Sequence, residues 1–484
     1  MGLVGILAAL SLLIWLSFRG WGVLLLAPAG AMIAAAFAGE PLLAHWTQTF
    51  MGSAARFIAQ FFPIFLLGAL FGKLMDDSGS VKTIAHSMSG KLGHRRAILA
   101  VVLAGALVTY GGVSLFIAFF VLAPMARELF RAANIPRRLI PATIALGTST
   151  FTMSAMPGTP VIQNTIPMPF FGTTPFAAPG LGIIASAIML AFGLWWLGRA
   201  EASARKSGEG YGGQAELGGG TAPDDQFIRI RATSSHEFDP AEISHGKHSD
   251  VQPPIGTATI PLVVVIGVNL LTSLLILPRL DFSFLAQERW GSTSLAGVAG
   301  VWSVAIALAA ATATLVVLHR ARLPDLRGSM DAGANASVLP IFSVASLVGF
   351  GAVVAALPAF GSVRDWVLSI SGGPLTSLAI ATNVLAALTG SASGGLTIAL
   401  DALGDTYLQI ARTTGIHPAL MHRIAVIGSG TLDSLPHNGA VVTLLAVCGS
   451  THRQSYFDMA MANIVGPLIA LAVVIILGSV LGSF

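Results

Sequence analysis

Asp433 and His437 stand four residues apart with Pro436 between them, in the stretch Gly428-Ser429-Gly430-Thr431-Leu432-Asp433-Ser434-Leu435-Pro436-His437-Asn438-Gly439. This stretch interrupts an apolar run at 419–447, and ionisable groups at membrane depth are costly and usually functional. Histidine titrates near neutral pH and a desolvated aspartate rises toward it, so the pair has the chemistry of a proton carrier. The competing reading is a structural Asp–His hydrogen bond that fixes a broken helix. A second interruption falls in the run at 139–165, from Gly147 through Ser149, Thr150, Thr152, Ser154, Pro157, Gly158 and Thr159 to Pro160, followed by Gln163 and Asn164. Proline removes a helical hydrogen bond and glycine loosens the backbone, leaving N–H and C=O groups that hydroxyls can satisfy or share with a polar solute. Small residues also let helices pack closely, but two such clusters at corresponding breaks point to a binding site.

The elements that carry these breaks are membrane spans. Apolar residues make up 54% of the 484 and charged residues 10%, against roughly 25% charged in a soluble domain. With 54 glycines and a mean hydropathy of +0.78, the chain reads as an all-α polytopic membrane protein. Its net charge of +4 is no nucleic-acid signature. The single cysteine, Cys448, excludes a disulfide framework and a thiolate metal cluster and reads as a packed small residue. No positive residue precedes the first apolar run, which therefore reads as a retained span.

Runs long enough to cross lie near 2–18, 21–38, 56–74, 139–165, 181–198, 257–278, 294–318, 337–357, 419–447 and 458–482. Two further stretches, about 97–126 and 374–402, have Gly- and hydroxyl-rich centres at Tyr110-Gly111-Gly112-Val113-Ser114 and Gly390-Ser391-Ala392-Ser393-Gly394-Gly395. They are too long for one straight helix and too short for two spans, which predicts re-entrant hairpins. The basic segments 73–96 (Lys73, Lys82, Lys91, Arg95, Arg96) and 127–138 (Arg127, Arg131, Arg137, Arg138) then share the cytoplasmic side. Continuing this topology puts both termini outside and the polar stretch 199–256 inside, as a flexible linker. Its His236, His245 and His248 read as solvated loop histidines rather than a metal site. Asp401, at the exit of the second hairpin, reads as an interfacial cap.

Four elements recur in order. Pro63-Ile64-Phe65 returns as Pro340-Ile341-Phe342, Gly111-Gly112-Val113-Ser114-Leu115 as Gly394-Gly395-Leu396-Thr397-Ile398, Asn134-Ile135-Pro136 as Ile416-His417-Pro418, and Ser154-Ala155-Met156-Pro157-Gly158 as Asp433-Ser434-Leu435-Pro436-His437. Halves of about five spans and one hairpin each, 1–198 and 257–484, make two inverted repeats, the plan of secondary transporters. Because no Lys or Arg falls in the apolar middle of a span, a carboxylate would be held by hydroxyls and by half-helix N-termini, each worth roughly half a positive charge. An intramembrane enzyme lacks support, since Gly390-Ser391-Ala392-Ser393-Gly394 is no nucleophile motif and neither H-E-x-x-H nor a P-loop occurs. A channel lacks evident pore-lining rings.

YGGVSLFIAFFVLAPMAREL, IPRRLIPATIALGTSTFTMSAMPGTPVIQNTIP and SGTLDSLPHNGAVVTLLAVCG resemble the gluconate:proton symporter (GntP) family over roughly 1–200 and 255–484. The resemblance implies proton-coupled uptake of sugar acids or small hydroxycarboxylates across a bacterial inner membrane, by a homodimer with a scaffold domain and a moving transport domain, an elevator. Pro436-His437 continues here as Asn438-Gly439-Ala440, as in the hydroxybutyrate-permease branch, which favours a short 3-hydroxy acid over gluconate. The expected substrate site comprises Tyr110, Gly111, Gly112, Ser114, Ser149, Thr150, Thr152, Ser154, Gly158, Thr159, Gln163, Asn164, Ser391, Ser393, Gly394, Gly395, Thr397, Thr431, Ser434 and Asn438, with Asp433 and His437 coupling the proton. No cofactor and no resident metal are expected. Sodium coupling stays open, because hydroxyls and unwound carbonyls also coordinate Na⁺.

Overall fold

The computed structural model describes residues 2–18, 21–212, 247–249, 251–436 and 438–484. Among these the regular structure is entirely helical. The first half runs α1 (Gly2–Phe18), α2 (Val23–Ala38), α3 (Leu42–Asp77), α4 (Ser80–Leu92), α5 (Ala97–Tyr110), α6 (Leu115–Ala132), the short α7 (Ile140–Thr148), α8 (Phe151–Ser154), α9 (Ile162–Thr165) and α10 (Pro167–Phe171), and α11 (Pro179–Lys206). The second half runs α12 (Ile255–Arg279), α13 (Leu295–Arg322), α14 (Leu326–Ala356), α15 (Phe360–Leu368), α16 (Gly373–Thr389), α17 (Ala392–Thr414), α18 (Pro418–Thr431), α19 (Gly439–Cys448) and α20 (His452–Leu481).

Six of these helices, α3, α11, α12, α13, α14 and α20, are long and apolar enough to cross a membrane, and α4 with the helix over His94–Tyr110, bent by 102°, makes a seventh. Of the other four runs expected to cross, α1 and α2 fill 2–18 and 21–38 at 17 and 16 residues, the short end of what spans a bilayer. The run at 139–165 breaks at Ser149-Thr150 and again after Ser154, ahead of Pro157 and Pro160, and that at 419–447 breaks after Thr431, ahead of Pro436, which cannot donate to a helix.

A helix–turn–helix stands at each Gly-rich centre. α5 and α6 pack together across the turn 111–114, and α16 and α17 across Gly390 and Ser391. The second pair approaches so closely that a Cβ on Gly395 would lie 2.2 Å from the Ala386 amide nitrogen. Gly112, at φ +95°, takes a conformation open to glycine and few other residues. One large core joins most helices, and a smaller one gathers α1 and α2 against α14 and α17.

Three expectations about loops are corrected. α3 runs to Asp77 and α4 occupies 80–92, so 73–96 is mostly helix. α11 runs to Lys206, so 199–206, the first eight residues of the expected linker, are helical. Asp401 lies in the middle of α17 and caps no helix end. Cys448 is buried at the end of α19, as a packed small residue would be.

Candidate substrate site

The backbone breaks come first, because they leave carbonyls without helical partners. Side chains take them up. The Tyr110 hydroxyl donates to the Pro157 carbonyl at 2.8 Å, Asn269 Nδ2 to that of Gly158 at 3.1 Å, Asn164 Nδ2 to those of Thr159 and Pro175 at 3.0 Å, and Asn438 Nδ2 to that of Gly390 at 2.7 Å. Each of these groups sits in the interior, where an unmet carbonyl is expensive. Tyr110, Asn164 and Asn438 therefore hold the breaks open.

Asn164 has a second duty. Its Oδ1 meets His422 Nε2 at 3.2 Å and accepts from Arg423 Nη1 at 3.4 Å. Arg423 is wholly buried and donates twice to the Ala177 carbonyl, at 3.1 and 2.7 Å, while His422 Nδ1 lies 2.6 Å from Thr173 Oγ1. These contacts clamp the 173–178 loop to α18. Arg423, near the start of the run at 419–447, and Lys73, at the end of that at 56–74, lie outside the apolar middles of their runs yet are buried in the protein.

A cavity of about 210 Å³ lies where the two helix–turn–helix tips meet. Gly112 and Ser114 from the first tip, Ser393 from the second, and Gln163 from the broken segment line it, together with Thr109, Thr148 and Ser337. Its apolar wall comes from Ile64, Phe65, Pro340 and Val344. Lys73 and Asp76 of α3 complete the lining, and they are only 4% exposed. Ser114 caps α6, its Oγ accepting from the Phe116 amide at 3.3 Å, and Ser391 caps α17, accepting from Gly394 at 3.2 Å. Two helix N-termini border this small space and favour an anion there, while the Lys73 ammonium is offset by Asp76 in the same wall and by Asp77 at 3.0 Å.

Asp433 borders a smaller cleft with Ser149, Ser434 and Asn438. Gln163, Leu115 and Met153 line both spaces, so the cleft adjoins the main cavity. Asp433 Oδ1 accepts from Asn438 Nδ2 at 2.8 Å. His437 lies outside the described residues. Thr150, Thr152 and Ser154 spend their hydroxyls on carbonyls four residues back along the chain, bridging the α7–α8 break, and Thr397 does so within α17. Thr431 bonds Asn383 and the Gly428 carbonyl, and Thr159 Oγ1 is buried without a partner. Gly111 abuts Leu262, where a Cβ would lie 2.2 Å from Cδ2.

Lys73, Asp76 and Asp77 were not anticipated, because the charges at 73–77 look like the start of a loop. The i, i+4 spacing of Lys73 and Asp77, directly after the run Phe71-Gly72, was the available signal.

Comparison with known proteins bears on the whole arrangement. A family model described as GntP family permease matches residues 1–174. YxjC, an uncharacterised transporter of Bacillus subtilis (strain 168), is 40% identical over 483 residues, 98% of each chain. The chain belongs to the GntP permease family. The high-affinity gluconate transporter of Escherichia coli (strain K12) is 35% identical over 105 residues, 21% of this permease and 23% of that protein. In fold the permease resembles MtrF of Neisseria gonorrhoeae, described with a class of antimetabolite efflux pumps, with a TM-score of 0.54, 14% identity, and coverage of 90% and 85% of the two chains. As a GntP-family permease the protein is a multi-pass membrane transporter of small molecules.

Proposed function

We propose that this permease is a proton-coupled symporter for a small hydroxycarboxylate, 3-hydroxybutyrate-like, or a sugar acid such as gluconate. The observation that carries the reading is the cavity in which the N-termini of α6 and α17 converge among the hydroxyls of Ser114, Ser337 and Ser393. The carboxylate suits the positive end, and the substrate hydroxyl suits the serines and Gln163. A volume of about 210 Å³ falls below the roughly 300–1,000 Å³ of sites for drug-sized ligands, which fits a short acid. Asp433, in the adjoining cleft, and His437 are the groups assigned to proton coupling. The two halves are read as inverted repeats, and movement as an elevator of the hairpin-bearing part within a homodimer in the bacterial inner membrane, termini periplasmic and the 199–256 stretch cytoplasmic.

The test is uptake of labelled 3-hydroxybutyrate and gluconate into proteoliposomes under a pH gradient or a sodium gradient, imposed separately. Uptake driven by the proton gradient is expected, and the faster acid identifies the substrate branch. Uptake that follows sodium alone would make the polar breaks cation sites, and movement of neither acid would sink the substrate class.

A further inference from the structure

The cluster that ends α3 faces two ways. Lys73 and Asp76 look onto the cavity, while Asp76 and Asp77 also meet the segment that leads into α12. His248 places Nε2 3.2 Å from Asp76 Oδ2 and Nδ1 3.4 Å from Asp77 Oδ1, and the Ser249 amide donates to the Asp77 carbonyl at 2.8 Å. His248 is thus a docked residue, correcting the expectation of a solvated loop histidine; His236 and His245 lie outside the described residues. A neutral imidazole has one N–H, and only the imidazolium donates from both nitrogens. The Nε2 hydrogen bond to Asp76, with a second carboxylate at ion-pair distance from Nδ1, favours the charged ring.

Charge counting agrees. Lys73 Nζ lies 3.0 Å from Asp77 Oδ1, so two carboxylates and one ammonium leave one buried negative charge. One proton on His248 cancels it. Asp76 Oδ1 and Asp77 Oδ2 are buried without hydrogen-bond partners, so the pocket has room for a further proton. Burial grades outward, from Asp77 at 0% and Asp76 at 4% exposed to the His248 side chain at 35%. Lys73, Asp76 and Asp77 are the charged groups acting on His248, and the Asp76 hydrogen bond raises its pKa above the ordinary value against the lowering effect of burial. From α4, His86 Nδ1 contacts Gln252 Oε1 of the same segment at 3.2 Å.

We propose that Asp76 and His248 form a proton relay from the substrate cavity to the solution on the linker side. It rests on the proton-coupled reading above and deepens it. A proton bound to Asp76 passes to His248 Nε2, so that an O–H bond breaks as an N–H bond forms. The imidazolium, 35% exposed, then swings off Asp76, gives the Nε2 proton to water, and returns neutral with that lone pair facing Asp76 again.

The test compares two assays on the full chain in proteoliposomes. Uptake driven by a pH gradient requires net proton release, whereas exchange of labelled for unlabelled substrate at equal pH does not. His248→Gln keeps the size and a hydrogen-bonding end but cannot carry the proton. It is expected to cut gradient-driven uptake on the order of a hundredfold, the lower end of what a positioned proton-transfer group contributes, while exchange continues at the wild-type rate. A parallel fall in both assays would reduce His248 to a structural role, and unchanged driven uptake would remove it from the path. Asp76, Asp77 and His248 also present donors within 4.8 Å of one another. Wild-type uptake that is lost in EDTA and restored by Zn²⁺ would replace the relay with a metal site. Wild-type exchange with no response to a pH gradient would instead overturn the proton-coupled reading itself.

Discussion

Replacing Lys73 with methionine tests the charge economy of the cavity wall. Lys73 Nζ stands 3.0 Å from Asp77 Oδ1, and the two side chains are 5% and 0% exposed. Methionine keeps the length and apolar stem but removes the ammonium, leaving Asp76 and Asp77 adjacent and buried with two oxygens already unpartnered. Removing one partner of a buried pair costs about 3–5 kcal/mol, whereas replacing both by apolar groups is often close to neutral. Lys73→Met should therefore destabilise the protein by about 3–5 kcal/mol, and Lys73→Met with Asp77→Leu should recover most of that, giving a coupling energy of about 2 kcal/mol or more. Denaturant unfolding of the purified full chain in detergent, run as a double-mutant cycle, measures it. A single variant within about 0.5 kcal/mol of wild type, the range of ordinary surface changes, would show that the ammonium does not balance these carboxylates.

Three further outcomes follow from the same geometry. Gly395→Ala would drive a Cβ to 2.2 and 2.4 Å from backbone atoms of Ala386, which cannot rotate away, so α16 and α17 should separate with a loss of at least about 1–3 kcal/mol and of uptake, read by unfolding and by transport. Arg423→Met would strip both donors from the Ala177 carbonyl and one from Asn164, lowering stability by about 1–3 kcal/mol in the same unfolding assay, with proteolysis at the freed 173–178 loop as a second readout. Because the pKa of His248 is raised above 6.5, docking of residues 247–249 and 251–252 should be complete below pH 6.5 and weaken as pH rises through the raised value. Hydrogen exchange at those amides, corrected for intrinsic rates, should show that loss, and His248→Gln should remove the pH dependence.

The sequence by itself determined the class of molecule and where its helices must break. A chain with 10% charged residues cannot cover a soluble surface, and Pro157, Pro160 and Pro436 cannot donate to a helix, so the interruptions near 155–161 and 432–436 were legible as local covalent facts. The Gly- and Ser-rich turns at 111–114 and 390–391 were legible for the same reason. Tertiary structure decided which of the many hydroxyls share a space. Thr150, Thr152, Ser154 and Thr397 have the same composition signature as Ser114 and Ser393, yet they bond carbonyls four residues back along the chain while the two serines face the cavity. It also decided the charges. Lys73, Asp76 and Asp77 read as a loop until α3 carries them inward against neighbouring helices, and Arg423 reads as an end residue until the Ala177 carbonyl meets it. His248 is 172 positions from Asp76, and no local pattern connects them. Burial and pairing over such separations depend on how helices pack, and a linear periodicity carries no record of which partner lies across the gap.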